Sequence, residues 1–234
     1  MDSEIRNAYT PPRQVAEGLV CVEGWWKKSP MGRRMTVLQV GAGELAVHGA
    51  VRMSEPDMQR LDAIGRVAYV IAPNPFHASE APWYADRYPA AKTLVPAAMR
   101  RKQERRMRID GTIEESWPVE LAGELEALLI DGLRLPETAY WHPRSKTLVV
   151  TDLVMNYGND HFKGIFKLLM RINGIVDHFG PSRLLRSAIK DKAALRDSLA
   201  RVMQWDFDRV VMSHGRVLEM DGKAKMEKAF GFLE

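Results

Sequence analysis

VAYVIAPNPFH, residues 67–77, is the stretch from which the fold can be worked outward. An apolar run over residues 67–72 stops at Pro73, and His77 follows at the end of the stretch. Short continuous apolar runs of this kind are typical of strands that are covered on both faces of a sheet. We therefore predict a buried strand over residues 67–72, followed by a loop that carries a histidine.

Two later stretches have the same form, LVVTD at residues 148–152 and VVMSHG at residues 210–215. Each apolar run ends in a side chain that can bind a metal or transfer a proton, Asp152 in the first and His214 in the second. Functional groups in α/β proteins commonly lie just beyond the carboxyl ends of strands. We therefore predict that His77, Asp152 and His214 converge as ligands of one metal ion, with Asp152 and His77 as catalytic residues.

The same three residues also have ordinary structural interpretations. Asp152 can form an Asx turn or cap a helix, which aspartate does very often. His214, directly before Gly215, can be a turn residue at a strand end, and a lone His77 can be structural. The residues alone leave these alternatives open.

Composition limits the class of protein. The chain has 234 residues, of which 46% are hydrophobic and 27% are charged, as in soluble globular proteins. Cys21 is the single cysteine, which excludes an intramolecular disulfide and a zinc site built from cysteines, and suits a reducing cytoplasm. The polar N-terminus is unlike a signal peptide, and no run approaches the roughly 18 apolar residues of a membrane span. We expect a cytoplasmic protein without a membrane partner.

Periodicity predicts an α/β fold with a polar N-terminal arm over residues 1–24 and a single domain over residues 25–234. A helix is predicted from Ser54 to Gly65, and helical apolar spacing recurs over residues 162–175. Further elements are predicted as a hairpin at 35–40 and 44–48, a second hairpin at 138–142 and 147–151, a strand at 207–212 and a terminal helix at 221–232.

Two other features bear on partners and ligands. The net charge of +4 is too small to indicate nucleic acid by itself. The basic run at residues 99–108 contains no aromatic residue and is more typical of a solvated helix face, with Glu104 as a partner for its arginines, than of a nucleic-acid site. His142 lies in the second hairpin, where we expect an exposed strand position.

The order of elements, the strand ending in VVTD and the later strand ending in MSHG resemble the metallo-β-lactamase fold superfamily over residues 34–232. In that family one strand ends in an aspartate that bridges two metals, and a later strand ends in a histidine that binds the second metal. Asp152 and His214 match these two positions. The resemblance implies a four-layer αββα sandwich and a hydrolase-like activity.

The sequence departs from the family at its main metal motif. His-x-His-x-Asp-His should follow the strand at residues 67–72, but Pro73 and Pro75 fall on the first two histidines in an ungapped register. His77 then falls on the aspartate, and a shift of two residues would place it on the second histidine instead. The family's middle histidine, expected near residues 131–133, is also missing. The chain therefore resembles a branch with a degenerate motif.

The resemblance leaves two functional hypotheses. The first is a metal-dependent, hydrolase-like protein that acts on a small molecule with one zinc or iron ion at His77, Asp152 and His214. The second is a metal-free binding or scaffold protein that has kept the fold without catalysis. In the first hypothesis, a metal with open positions would lower the pKa of bound water.

Overall fold

Contacts along the chain divide it into two units, Met1–Leu125 and Glu126–Glu234. The structure, a computed structural model, describes residues 8–25 and 29–233. Both units combine strands and helices, so the predicted α/β class is confirmed. The single domain over residues 25–234 stays a prediction.

Unit 1 is built on one eight-stranded sheet. Its strands run in the order β1-β3-β4-β5-β6-β7-β8, and β2 pairs with β3. The pairing is antiparallel up to β5 and parallel from β5 to β8. The elements are β1 (Ala8–Tyr9), β2 (Arg13–Ala16), β3 (Leu19–Trp25), β4 (Arg33–Val40), β5 (Glu44–His48), α1 (Glu55–Ile64), β6 (Arg66–Ile71), α2 (Ala81–Arg87), β7 (Lys92–Val95), α3 (Arg100–Gln103) and β8 (Gly111–Thr112).

The opening stretch forms the predicted strand in the parallel part of this sheet. Strand β6 pairs with β5 on one side and β7 on the other, and its residues from Val67 onward are buried. Helix α1 precedes it, with Ser54 as N-cap and Gly65 as C-cap, as predicted. The hairpin of β4 and β5 is also confirmed.

The predicted N-terminal arm is wrong for the part of it that the structure describes. Strands β1 to β3 lie in the sheet. Strand β3 pairs with β4 along its length, and its apolar residues are buried there. The hydroxyl of Tyr9 donates a hydrogen bond to Asp57 Oδ2 at 2.6 Å, which fixes β1 to α1. Residues 1–7 of the predicted arm lie outside the described residues.

The basic run forms a shorter helix than its sequence indicates. Helix α3 covers four residues, and turns follow it. Most of the run is exposed, and Arg100 Nε lies 2.7 Å from Glu104 Oε1, the partner that we predicted. The geometry is that of a solvated face, and the absence of nucleic-acid binding stays a prediction.

Unit 2 contains a four-stranded sheet in the order β14-β11-β10-β9 and a two-stranded sheet of β12 and β13. The hairpin of β10 and β11 and the last strand are confirmed. The elements are β9 (Glu126–Leu129), β10 (Thr138–His142), β11 (Thr147–Val150), β12 (Met155–Tyr157), α4 (Gly164–Ile172), β13 (His178–Gly180), α5 (Arg183–Ser187), α6 (Lys192–Val202), β14 (Arg209–Met212) and α7 (Gly222–Phe230).

Helices α6 and α7 bury apolar faces in the core of unit 2. Leu195, Leu199 and Val202 of α6 join Met226 and Phe230 of α7 in one cluster with the sheet residues. Asp191 caps α6 by accepting a hydrogen bond from the Ala194 amide at 3.0 Å. The predicted terminal helix is thus confirmed as α7, and the apolar faces of both helices are the buried ones.

Helix α4 does not follow that rule. It forms inside the predicted range 162–175, but none of its residues is buried. Its apolar stripe therefore faces away from the core, and the buried residues of the predicted range are Phe162 before the helix and Ile175 after it. Among the described residues, no helix is long and apolar enough to cross a membrane.

Candidate functional site

The parallel register of β11 and β14 brings Asp152 and His214 together. Val150 pairs with Met212 at the ends of the two strands, and the Ser213 amide donates to the Thr151 carbonyl at 3.1 Å. Each functional side chain lies two residues beyond its paired strand end, so both emerge at the same edge of the sheet. Asp152 Oδ1 and His214 Nε2 are 3.1 Å apart. The carboxylate of Asp152 therefore contacts the imidazole of His214 directly.

Gly215 allows the chain to turn closely beneath His214. Its φ of 89° is unfavourable for residues with a side chain, and a Cβ there would lie 2.3 Å from the Asn156 carbonyl oxygen. That carbonyl accepts the Arg216 amide, and the Asn156 amide group donates to the Arg216 carbonyl at 3.0 Å. The loop after β14 is thus fixed against β12, and it holds His214 in place.

Glu137 contacts the backbone at the same edge of the sheet. It is 3% exposed, and its Oε1 accepts the Thr151 amide at 2.7 Å while its Oε2 accepts the Asp152 amide at 3.0 Å. One carboxylate therefore satisfies two consecutive backbone donors at the point where β11 ends. This fixes the backbone that carries the Asp152 side chain.

Burial raises the pKa of Glu137 well above its usual range, and the negative charge of Asp152 raises it further. The backbone donors act in the opposite direction, because they favour the ionised form. A buried carboxyl group beside an aspartate is costly for folding alone. Its cost is understandable if it serves to position Asp152.

Glu137 was missed by the sequence reasoning, although a signal exists. Tyr140 pairs with Val149 in the predicted hairpin. Continuing that antiparallel register by three residues places Glu137 opposite Asp152. A carboxylate directly before an apolar strand, opposite a candidate ligand, is the pattern that would have identified it.

His77 lies in unit 1, in the loop after β6. The loop is an Asx turn, in which Asn74 Oδ1 accepts the Phe76 and His77 amides, each at 3.0 Å. Both Asn74 and His77 are buried. His48 ends β5 opposite Ile71 of β6, so it lies at the same carboxyl edge of the sheet. The convergence of His77 with Asp152 and His214 stays a prediction.

The other histidines of unit 2 lie apart from this arrangement. His142 is fully buried, so the predicted exposed position is wrong. Its Nδ1 lies 2.7 Å from Ser145 Oγ in the turn between β10 and β11, which gives the buried ring a polar partner. His161 is exposed and its ring contacts that of Tyr157 at a tilt, with ring centroids 4.6 Å apart. His178 is an exposed residue of β13. The last two are therefore a packing histidine and a surface histidine.

No protein-family model and no curated protein matches the sequence. Solved structures do match. The DIM-1 metallo-β-lactamase exposed to ceftazidime has a TM-score of 0.64 at 12% identity, covering 97% of this chain and 100% of that one. The FIM-1 metallo-β-lactamase of Pseudomonas aeruginosa in its mono-zinc form has a TM-score of 0.58 at 9% identity, covering 98% and 94%. The metal-soaked Flv1 flavodiiron core of Synechocystis has a TM-score of 0.67 at 14% identity, covering 97% and 61%.

The chain therefore has the metallo-β-lactamase fold, as its strand endings indicated. At these identities the likeness concerns the fold alone, and the activity must be argued from this chain's own residues. Those residues include an aspartate and a histidine in contact at two adjacent strand ends. They also include Pro73 and Pro75, which cannot bind a metal through a side chain.

Proposed function

We propose that this chain is a hydrolase-like protein that binds one zinc or iron ion through His77, Asp152 and His214 and acts on a small molecule. The observation that carries the proposal is the contact between Asp152 Oδ1 and His214 Nε2 in a chain with the metallo-β-lactamase fold. His77 is included because it follows the strand that holds the family's main motif. Each of the three side chains can offer one ligand atom.

The spacing of the Asp152–His214 pair suits a metal ion. Two donors on one tetrahedral zinc, at bond lengths of about 2.0–2.2 Å, lie about 3.3–3.6 Å apart. The observed separation is 3.1 Å, so a small movement of either side chain would admit the ion. Two imidazoles and a carboxylate are also a donor set that zinc and iron(II) accept.

In this proposal the metal, when bound, lowers the pKa of a water molecule and polarises the substrate oxygen. The protein residues do the positioning. Glu137 holds the backbone of Thr151 and Asp152, the fixed loop after β14 holds His214, and the Asn74 turn holds His77. With the first histidines of the family motif replaced by prolines, the site has ligands for one ion and not for two.

Metal analysis of protein purified without a chelator tests the proposal. We expect about one equivalent of zinc or iron in the wild type and in His178→Ala, an exposed histidine of unit 2 that serves as the matched control. His214→Ala should retain less than about a tenth of an equivalent, since loss of a ligand at a three-ligand site removes most of its affinity. A wild type with no more metal than His214→Ala would contradict the proposal.

The second candidate is a metal-free binding protein, and Pro73 and Pro75 are the observation in its favour. It predicts that the wild type contains no stoichiometric metal and that any small acid binds without added zinc. Isothermal titration calorimetry with and without zinc separates the two candidates. Ligand binding that is lost on chelation favours the enzyme, and binding that chelation leaves unchanged favours the binding protein.

A further inference from the structure

Helix α4 and the start of α5 present an apolar surface that the rest of unit 2 leaves uncovered. The α4 residues Ile165, Leu168, Leu169 and Ile172 recur at the spacing of one helix face. Ile165 is 72% exposed, and Leu184 of α5 is 71% exposed. We call these five residues the α4–α5 surface. Contiguous exposed apolar residues of this kind usually mark a contact with a partner.

The two helices of this surface are fastened to each other. The Asn173 carbonyl accepts the Arg183 amide at 2.8 Å, and Asn173 Oδ1 accepts the Leu184 amide at 3.1 Å. Ser182 caps α5 through the Leu185 amide at 3.0 Å. The end of α4 is thus joined to the first turn of α5, which makes the apolar residues one preformed surface.

Basic side chains surround the surface. Residues 161–190 contain six lysines and arginines against a single carboxylate, Asp177. None of the six forms an ion pair with any of the residues that the structure describes. They are Lys163, Lys167, Arg171, Arg183, Arg186 and Lys190.

A cavity of about 300 Å³ lies beside the segment that connects α4 to α5. Gly174, directly after the Asn173 link, lines it together with His178, Arg183 and Arg186. The guanidinium of Arg186 is also placed over the ring of Phe232, with 4.2 Å from Cζ to the ring centroid. The cavity therefore offers cationic donors to an anionic group beside the exposed leucines and isoleucines.

We propose that the α4–α5 surface docks the protein on an anionic lipid surface, with its apolar side chains in the acyl boundary and a lipid phosphate at the basic cavity. An apolar helix face with mainly basic charge around it is the form of an interfacial helix. Long lysine and arginine side chains reach lipid phosphates while their stems stay in apolar surroundings. The sequence led us to expect no membrane partner because no segment spans a bilayer, but surface docking requires none.

Charge favours a lipid surface over a second copy of this chain. A two-fold dimer through the α4–α5 surface would place the same basic side chains of both copies against one another. Like charges at an interface oppose association. An anionic lipid surface complements both the apolar and the basic parts of the surface.

Co-sedimentation of the full chain with vesicles tests the proposal. One set of vesicles is phosphatidylcholine alone, and the other contains a phosphatidylserine fraction of about one third. We expect binding to the anionic vesicles to be at least about tenfold stronger than to the neutral ones, and to weaken as salt is raised. Equal binding to both, or no binding to either, would overturn the proposal.

Two double variants locate the contact. Leu168→Gln with Ile172→Gln, and Lys163→Glu with Arg183→Glu, should each weaken anionic-vesicle binding at least about tenfold. The matched controls are Met220→Gln, an exposed apolar residue elsewhere in unit 2, and Lys192→Glu with Arg201→Glu on α6. Controls that lose binding equally would place the contact elsewhere and overturn the proposal.

Light scattering of the same proteins provides the competing outcome. A wild-type dimer that Leu168→Gln with Ile172→Gln separates into monomers, without vesicle binding, would assign the surface to a second copy. Thermal unfolding of each variant is the control for folding. Because the substituted side chains are largely exposed, we expect the melting temperatures to stay close to the wild-type value.

Discussion

Glu137→Gln is the substitution that tests most closely how unit 2 positions Asp152. The glutamate accepts two backbone amides, from Thr151 at 2.7 Å and from Asp152 at 3.0 Å. Glutamine has nearly the same shape, but its amide nitrogen is a donor and would face one of these N–H groups. The substitution therefore leaves one buried backbone donor without an acceptor while changing the packing little.

The magnitude follows from the burial of the pair. An unsatisfied buried N–H costs about 1–3 kcal/mol. Loss of a carboxyl group whose pKa is raised by burial offsets part of that cost, because the charged form was itself unfavourable there. We expect a net loss of about 1–2 kcal/mol, which at a urea slope of about 2 kcal/mol per molar moves the midpoint down by about 0.5–1 M.

Urea unfolding followed by fluorescence measures this change, with Glu227→Gln as the control. Glu227 is an exposed glutamate of the same unit, and its substitution should change stability by less than about 0.5 kcal/mol. Zinc affinity provides a second measurement, since a group that orients a ligand changes metal affinity by about 10–100-fold when it is removed. A Glu137→Gln protein as stable as Glu227→Gln, with unchanged zinc affinity, would refute the positioning role.

Three further predictions concern single residues. Gly215→Ala forces a Cβ to 2.3 Å from the Asn156 carbonyl oxygen at a φ of 89°. Thermal unfolding should therefore show a loss of at least about 3 kcal/mol in the free energy of unfolding. A melting curve like that of the wild type would contradict this. His142→Ala removes a buried ring and its contact with Ser145, so urea unfolding should show a loss of about 2–4 kcal/mol. The metal content should stay unchanged. A loss of metal without a loss of stability would show instead that His142 is a ligand. Burial raises the pKa of Cys21 to about 11, so about one thiol in a thousand is ionised at pH 8. Iodoacetamide should therefore label the native protein far more slowly than the urea-unfolded protein. Equal labelling rates would contradict this.

The stability contribution of Cys21 has a definite sign with pH. Its pKa is raised in the folded protein, so the neutral thiol is favoured by folding. The contribution is fully present below the unfolded pKa of about 8.5 and is lost as pH rises toward the folded value of about 11. Comparison of wild type and Cys21→Ala between pH 7 and pH 10 should show the wild type losing stability relative to the variant. A difference that stays constant with pH would contradict the raised pKa.

The sequence was informative where local pattern and tertiary packing agree. Apolar runs that stop at Pro73, Asp152 and His214 predicted three strand ends, and the structure has a strand before each of them. The contact between Asp152 and His214 follows from the parallel pairing of β11 and β14, which the two similar apolar runs favoured but did not fix. The strand endings predicted that the two side chains converge, but the pairing that joins their strands is seen only in the structure.

The sequence was least informative where a residue acts through distant backbone. Glu137 looks like any polar residue before a strand, and its role appears only when the hairpin register places it opposite Asp152. Strands β1 and β2 were mistaken for an arm because they are short and largely exposed, and Tyr9 gains its partner Asp57 only in the folded sheet. Helix α4 shows the converse limit, because helical periodicity reveals an apolar face and not what covers it.

Anomalous diffraction at the zinc edge, on crystals of the protein loaded with one equivalent of zinc, tests the central claim most directly. We predict a single peak within about 2.0–2.2 Å of one atom from each of His77, Asp152 and His214. No peak, or a peak at Asp152 and His214 without His77, would contradict a one-metal site built from these three residues.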